Sequence, residues 1–248
     1  MCGAFVYVHP EEYSCRLADG FRWRAVVSDL IDQLPDLHSR FNIRPTQDVV
    51  VVFNGSGGPV AKPMRWGLIP SWSKNEKMSR ITFNARDDRV AESAIWKYPL
   101  ERKRGIVLAN GFFEWKKAGD TKQAMYITPK EGEVFQFAAL YDSWINKRGE
   151  NIDSCAIVTT SSNVLMSSIH DRMPVILDSQ SLPVWLEPAI TEPDRLQSLL
   201  IPASEELLRA HPVSDEVNSY KNDSPNLITP ISIEKCQCSD RQLHMFEQ

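Results

Sequence analysis

The stretch "GIVLANGFFEWKK" (residues 105–117) decides the fold class. Its two apolar runs, "GIVLAN" (105–110) and "FFEWKK" (112–117), rich in β-branched and aromatic residues, read as strands in close succession. "QAMYIT" (123–128) and "VFQFAAL" (134–140) follow, with turn signals at "KAGDTK" (117–122) and "PKEGE" (129–133). Close-spaced strands separated by turn chemistry predict an antiparallel meander. Upstream, "GAFVYV" (3–8), "DVVVVF" (48–53) and "AKPMRWGLI" (61–69) read as strands, the middle one stopped by "NGSGG" (54–58). Downstream, "SCAIVTT" (154–160) reads as one more buried strand. Helical patterns are fewer: "WRAVVSDLIDQL" (23–34), "DDRVAESAIWKY" (87–98), a short serine-capped turn in "SSNVLMSSIH" (161–170), "SLPVWL" (181–186) and "EPDRLQSLL" (192–200). The last two helical patterns are expected to end the globular part before "HPVS" (211–214). Many short strands with a few helices, and no repeat or linker, predict a single α+β domain, its bounds drawn at residues 1–230 with a polar tail at 231–248.

Length and composition fit that reading. The chain has 248 residues, 42% hydrophobic and 24% charged, values of an ordinary soluble globular protein. No apolar run reaches the roughly 20 residues of a membrane span, and no leader pattern is present. A cytoplasmic location, or a nuclear one in a eukaryote, is the expectation. Five cysteines, at positions 2, 15, 155, 236 and 238, are irregularly spaced and odd in number, which argues against a disulfide framework. Cys236 and Cys238 form a C-x-C beside His244, but a fourth ligand is missing, so no metal and no cofactor are expected.

The net charge of −4 hides a strong asymmetry. Between Lys62 and Lys117 there are 13 Lys or Arg against 6 Asp or Glu; elsewhere there are 15 against 26. The basic segment also holds Trp66, Trp72, Trp96 and Trp115, four of the seven tryptophans. Cations interleaved with aromatics can grip phosphates while stacking unpaired bases. The same composition also fits a solvated surface over core tryptophans.

Cys2 raises a chemical question. Loss of Met1, favoured by the small second residue, leaves Cys2 with a thiol and an α-amine whose reference pKa values lie near about 8.5 and 8. Either can attack a carbonyl, and together they can close a ring on an aldehyde. Three further stretches place polar groups amid apolar runs, where burial demands a reason. "ITFNARDDR" (81–89) holds Asn84 and Arg86 two apart, on one face if the stretch is extended. "NGFFEWKK" (110–117) sets Glu114 among Phe112, Phe113 and Trp115, surroundings that raise a carboxyl pKa. "SSIHDRMPVIL" (167–177) puts His170, a candidate titrating imidazole, at the entry to a buried strand. Each has a plain structural alternative: a surface strand position for Glu114, a structural histidine for His170.

Taken in order, "MCG" at the start, "FNAR" (83–86), "GFFEWKK" (111–117) and "IHDRMPVIL" (169–177) resemble the SRAP family, the SOS-response-associated peptidase domain. "NIRPTQ" (42–47), "RWGLIPSW" (65–72) and "HPVS…VNSYKN" (211–222) resemble further blocks of it, so the likeness spans about residues 2–230. The resemblance implies an α+β domain with a twisted, barrel-like, mostly antiparallel β core flanked by short helices. It implies a monomer that recognises abasic sites in single-stranded DNA and joins them covalently through Cys2. Asn84, Glu114 and His170 match its catalytic pocket; Arg86, Trp72, Thr159 and Gly3 match its DNA-binding positions. Abasic-site lyase activity and self-processing at Met1 are implied as well. One departure stands out: the family opens "MCGRF", whereas this chain has Ala4. Two rival readings remain open at this level. One is a non-covalent single-stranded-DNA-binding module. The other is a class II glutamine amidotransferase, which shares "MCG" but whose arginine-glycine-rich substrate block is missing here.

Overall fold

The computed structural model describes residues 3–9, 38–131 and 134–232. The expected helix at 23–34, the C-x-C pair with His244, and Cys2 itself lie outside the described residues. The chain runs through β1 (Phe5–Tyr7), β2 (Arg40–Ile43), and the hairpin of β3 (Asp48–Gly55) and β4 (Gly58–Trp66). β5 (Asn84–Arg86), α1 (Lys97–Arg102) and β6 (Arg104–Ala109) follow. Next come two antiparallel pairs: β7 (Gly111–Ala118) with β8 (Thr121–Pro129), and β9 (Phe135–Ile145) with β10 (Asn151–Ser161). The last elements are α2 (Val164–Ser167), β11 (Arg172–Pro174), α3 (Ser181–Leu186), α4 (Pro193–Gln197) and β12 (Leu208–Pro212).

Strands β10, β4, β3, β6 and β9 pair in that order, and β9 pairs back onto β10, closing a five-stranded barrel. Closure leaves no edge on those strands. A second sheet, ordered β12-β8-β7-β1-β2, packs against it. Strand β1 shows how one period-two pattern serves both. Phe5 and Tyr7 belong to the barrel core, while Ala4, Val6 and Val8 join a second core with Phe113, Ala124, Tyr126, Val213, Val217 and Leu227. Phe5 meets Trp66 and Phe137 edge-on, with ring centroids 5.1 and 6.3 Å apart. The expected fold class, α+β with a barrel-like and mostly antiparallel β core, is therefore the one observed.

Four local expectations are corrected. The strands at 105–140 do not form one meander: β7 and β8 make a hairpin, but β9 pairs with β6 and β10. The break is at Asn110–Gly111, where the chain leaves the barrel for the second sheet. A Cβ on Gly111 would lie 2.4 Å from the Tyr126 ring and 2.6 Å from the Ile127 carbonyl, so only glycine passes. Strand β9 is buried on both faces from Phe135 to Leu140, in keeping with its place in the barrel between β6 and β10.

The helix expected at 87–98 is a series of turns, with helix only at Lys97–Arg102. Asp87 and Asp88 do not serve a helix N-terminus, because Arg172 and Arg86 occupy them. The cap of α2 is Asn163, whose Oδ1 accepts from Met166 N–H at 2.9 Å, rather than a serine. Finally, the globular part does not end before "HPVS": β12 extends the second sheet, and Val213, Val217 and Leu227 complete its core.

Candidate active site and nucleic-acid interface

The site is built where β7 meets the first residues of the chain. On β7, Phe112 faces the barrel core and Phe113 the second core, so Glu114 points to the barrel side. Glu114 is 2% exposed. Phe113 N–H donates to the Ala4 carbonyl at 2.9 Å, and Phe5 stands opposite Phe112. Continuing that register two residues further brings Gly3, which follows Cys2 in the sequence, opposite Glu114. Burial raises the Glu114 carboxyl above its ordinary range, and nearby positive charge, His170 included, opposes that shift.

The second half of the site stands at the far end of β10. Strands β4 and β9 flank β10 only as far as Cys155 and Ile157 respectively. Beyond them β5 pairs in parallel along Ile157–Thr159, and β11 pairs along Thr159–Ser161. Asn84 and Arg86 occupy alternate positions on β5 with Ala85 buried between them, as the i, i+2 spacing predicts. His170 precedes β11. Its Nδ1 accepts the Arg172 backbone N–H at 3.1 Å and lies 2.9 Å from Asp171 Oδ1. A neutral ring that accepts at Nδ1 carries its proton on Nε2.

Arg172 is a residue the sequence reading did not single out. It is 8% exposed; Nη2 donates to Asp87 Oδ1 at 2.6 Å, and the guanidinium reaches Thr159 Oγ1 at 3.3 and 3.4 Å. It also donates to the Thr159 carbonyl. Thr159 is fully buried, and the contacts of its hydroxyl and carbonyl are with Arg172, Ala85 and Asp87. The available signal was the juxtaposition "HDR": a buried arginine two residues after the histidine.

Trp72 rides on an excursion from residue 68 to residue 82. Leu68 N–H to the Thr82 carbonyl (3.2 Å) and Thr82 Oγ1 to the Leu68 carbonyl (2.6 Å) close its base. Ser71 N–H donates to Asp142 Oδ2 at 2.7 Å, and Trp144 Nε1 donates to the Ser73 carbonyl at 2.7 Å. Gly67 has φ +136°, and a Cβ there would lie 2.1 Å from the Ser79 carbonyl oxygen, so the loop folds down only on glycine. The anchored loop holds Trp72 60% exposed.

Charge and aromatic content in the basic segment divide between surface and interior. Trp66 and Trp96 are core residues, and Trp115 donates to Asn218 Oδ1 at 2.7 Å under the Arg44 guanidinium. Arg104 is buried and saturated by backbone carbonyls of Leu100, Glu101, Trp185, Glu187 and Ile190. Lys62 and Lys103 pair with Asp153 and Asp142. Among the described residues, no group of three or more His, Cys, Asp or Glu side chains is placed to hold a metal ion. No described helix is long and apolar enough to cross a membrane.

The described site is thus a closed β-barrel with a buried carboxyl on β7 and a histidine–arginine cluster at the rim of β10. The chain belongs to the SOS response associated peptidase (SRAP) family, whose model matches residues 1–220. It is similar to the abasic site processing protein YoqW of Bacillus subtilis, 44% identical over 203 residues, covering 80% of this chain and 90% of that one. It is also similar to the abasic site processing protein YoaM of the same organism, 39% identical over 218 residues (84% and 96% covered). Similarity to the abasic site processing protein HMCES of Gallus gallus is 34% over 223 residues, 80% of this chain and 64% of that protein. Among solved structures, a protein from Bacteroides thetaiotaomicron superposes with a TM-score of 0.76 at 26% identity, covering 88% of this chain and 98% of its own.

Proposed function

We propose that this chain processes abasic sites in DNA by trapping the open-chain aldehyde on Cys2. The observation that carries the reading is the register of β1 on β7, which sets Glu114, buried and with its pKa raised, opposite the residue joined to Cys2. Relatives named as abasic site processing proteins support it.

The reaction needs no external oxidant or reductant. His170 passes a proton to the sugar ring oxygen, opening the hemiacetal to the aldehyde. Glu114 takes a proton from the α-amine, exposed by removal of Met1, as that nitrogen attacks C1′. Loss of water from the carbinolamine gives an imine, and the thiol adds to its carbon with its proton passing to nitrogen. Aldehyde plus cysteine thus become a thiazolidine plus one water. Asn84 orients the amine or a sugar hydroxyl. The imine also permits β-elimination of the 3′ phosphate, a lyase outcome. Each positioned proton transfer contributes about 10²–10⁴-fold. Single-stranded DNA is the partner, held by Arg86, by stacking on Trp72 and by backbone contact at Gly3, with the chain acting as a monomer. Thr159 serves this interface indirectly, by holding Arg172.

The deciding experiment is denaturing electrophoresis after incubation with an abasic single-stranded oligonucleotide. Wild-type protein should give a band that survives denaturant and high salt, and Cys2→Ala should give none. An adduct of full yield from the alanine variant would sink the proposal; complete reversal of wild-type binding by salt would favour a non-covalent binding module.

A further inference from the structure

The turn after β5 carries two successive aspartates, and each clasps one arginine of the site. The Arg86 carbonyl accepts the Arg89 N–H at 3.1 Å, which closes the turn. Asp87 is committed to the fold. Its carboxylate takes Arg172 Nη2 at 2.6 Å and Thr160 Oγ1 at 2.8 Å, and its carbonyl takes Gln197 Nε2 at 2.9 Å. The Arg172 and Asp87 side chains are only 10% and 22% exposed. Asp88 is held differently. Its two oxygens accept Arg86 Nε at 3.0 Å and Nη2 at 2.7 Å, a two-pronged pair whose side chains are 47% and 48% exposed.

A carboxylate that meets both prongs of a guanidinium fork presents the same two-oxygen geometry as a DNA backbone phosphate. An exposed pair of this kind is weakly held and exchanges its partner readily. We infer that Asp88 is a specificity-determining residue, an internal stand-in for phosphate that Arg86 releases when DNA enters. This inference rests on the reading of the site as a trap for abasic DNA.

The consequence follows from competition. A phosphate that binds Arg86 must break a two-bond pair to form another, so the net gain from each encounter is small. An undamaged strand therefore dissociates, whereas a strand bearing an aldehyde is retained by the covalent bond. Asp88 shifts discrimination from non-covalent affinity, which every strand satisfies, to chemistry that only the lesion offers. Asp87 does not share the task, because its partner is buried and its oxygens are already divided among fold contacts.

The test uses the full chain and an undamaged single-stranded oligonucleotide at low salt, with an abasic oligonucleotide assayed in parallel. Asp88→Asn should tighten binding of the undamaged strand about 3- to 10-fold, as expected when a charge-assisted competitor is removed. The gain should vanish when Arg86→Gln is added, since the competition has only that guanidinium as its object. Glu92→Gln, which removes an exposed charge four residues further along, should change affinity by less than twofold. Asp88→Asn within twofold of wild type overturns the inference, as does an equal gain from Glu92→Gln or a gain that persists without Arg86. Wild-type protein that forms no adduct with the abasic strand sinks the reading of the site instead, so the two failures are told apart.

Discussion

Strand β10 is two different environments joined end to end. Up to Cys155 it is sealed between β9 and β4, β9 continues to Ile157, and Cys155, Ala156 and Ile157 are fully buried. From Thr159 onward the barrel strands are gone, and three-residue strands, β5 and β11, flank it instead. The sealed half is chemically silent: burial pushes the Cys155 thiol well above its ordinary pKa, so it is no nucleophile. The overrunning half gathers Asn84, Arg86, Arg172 and, two residues before β11, His170. Closure satisfies the backbone, and the polar side chains it buries, such as Arg104 and Asp142, are consumed by hydrogen bonds and ion pairs of the fold. Overrun past the closed ring leaves edges that short segments carrying polar side chains can pair with. In the proposed reading the barrel is a mount, and part of the site stands where barrel pairing stops.

The sharpest way to separate stability from function is Glu114→Gln. If Glu114 is the proton acceptor, adduct formation should slow by about 10²–10⁴-fold with undamaged-strand affinity nearly unchanged. The same change should stabilise the protein. The folded-state pKa is raised by burial, so between the unfolded and folded values the native state holds more protons than the unfolded one. Stability contributed by the protonated carboxyl is full below the unfolded pKa and is lost as pH rises through the folded one. The Tm difference between variant and wild type should therefore widen as pH climbs above the ordinary glutamate range, then level off. Loss of binding in step with rate, or a Tm gap flat across pH, would make Glu114 a structural residue.

Arg104 tests the opposite side of the comparison. Its guanidinium, pushed down to about 10 by burial, ties α1 to the end of α3 through five backbone carbonyls. Arg104→Met should cost about 3 kcal/mol, because carbonyls left buried without a donor lose roughly 1–3 kcal/mol each and some regain water. Urea unfolding reads the loss; in buffer, where the variant is still folded, the adduct rate should match wild type. A rate that falls with stability would mean that the barrel and its rim are not separable.

Trp72→Ala should act in the reverse sense. Stacking of a base on an exposed ring is worth about 1–3 kcal/mol, so binding of single strands should weaken by about tenfold. The urea midpoint should stay put, since 60% of the indole faces solvent. Unchanged DNA affinity would remove Trp72 from the interface.

The fold class and the order of the site motifs were legible in the sequence because long strands announce themselves by apolar runs, and Glu114 by its apolar neighbours. What was not legible was which strands pair. Residues 105–140 contain the same alternation whether β9 returns to β8 or to β6, and the choice was made by packing at Gly111 and by burial of both faces of β9. The role of charge was hidden for a similar reason. Arg104 and Arg86 are the same letter in the same basic segment, yet one is consumed by carbonyls and the other pairs at the surface with Asp88. Short strands such as β5 and β11 carry too few residues to announce themselves by a run, and those strands dress the rim. The hold of Arg172 on Thr159 showed only once β10 and β11 were paired.

The smallest expected effect lies at the turn that joins β2 of the second sheet to β3 of the barrel. Thr46 has φ 78°, a left-handed conformation in which a β-branched residue is strained. Pro45 precedes it, Gln47 N–H reaches the Arg44 carbonyl at 3.2 Å, and the strained residue sits where a type II turn ordinarily places glycine or asparagine. The geometry is imposed from outside the turn, since Thr46 N–H donates to the Trp66 carbonyl at 2.7 Å and Trp66 N–H to the Gln47 carbonyl at 2.8 Å. These bonds need only the backbone. Thr46→Asn should therefore keep them, relieve the side-chain strain and raise stability by about 1 kcal/mol in urea unfolding, with adduct rate and strand affinity unchanged. A destabilised variant with intact rate would show that the threonine side chain holds the turn; a stabilised variant with a slower rate would extend the functional rim to this side of the barrel and break the division drawn along β10.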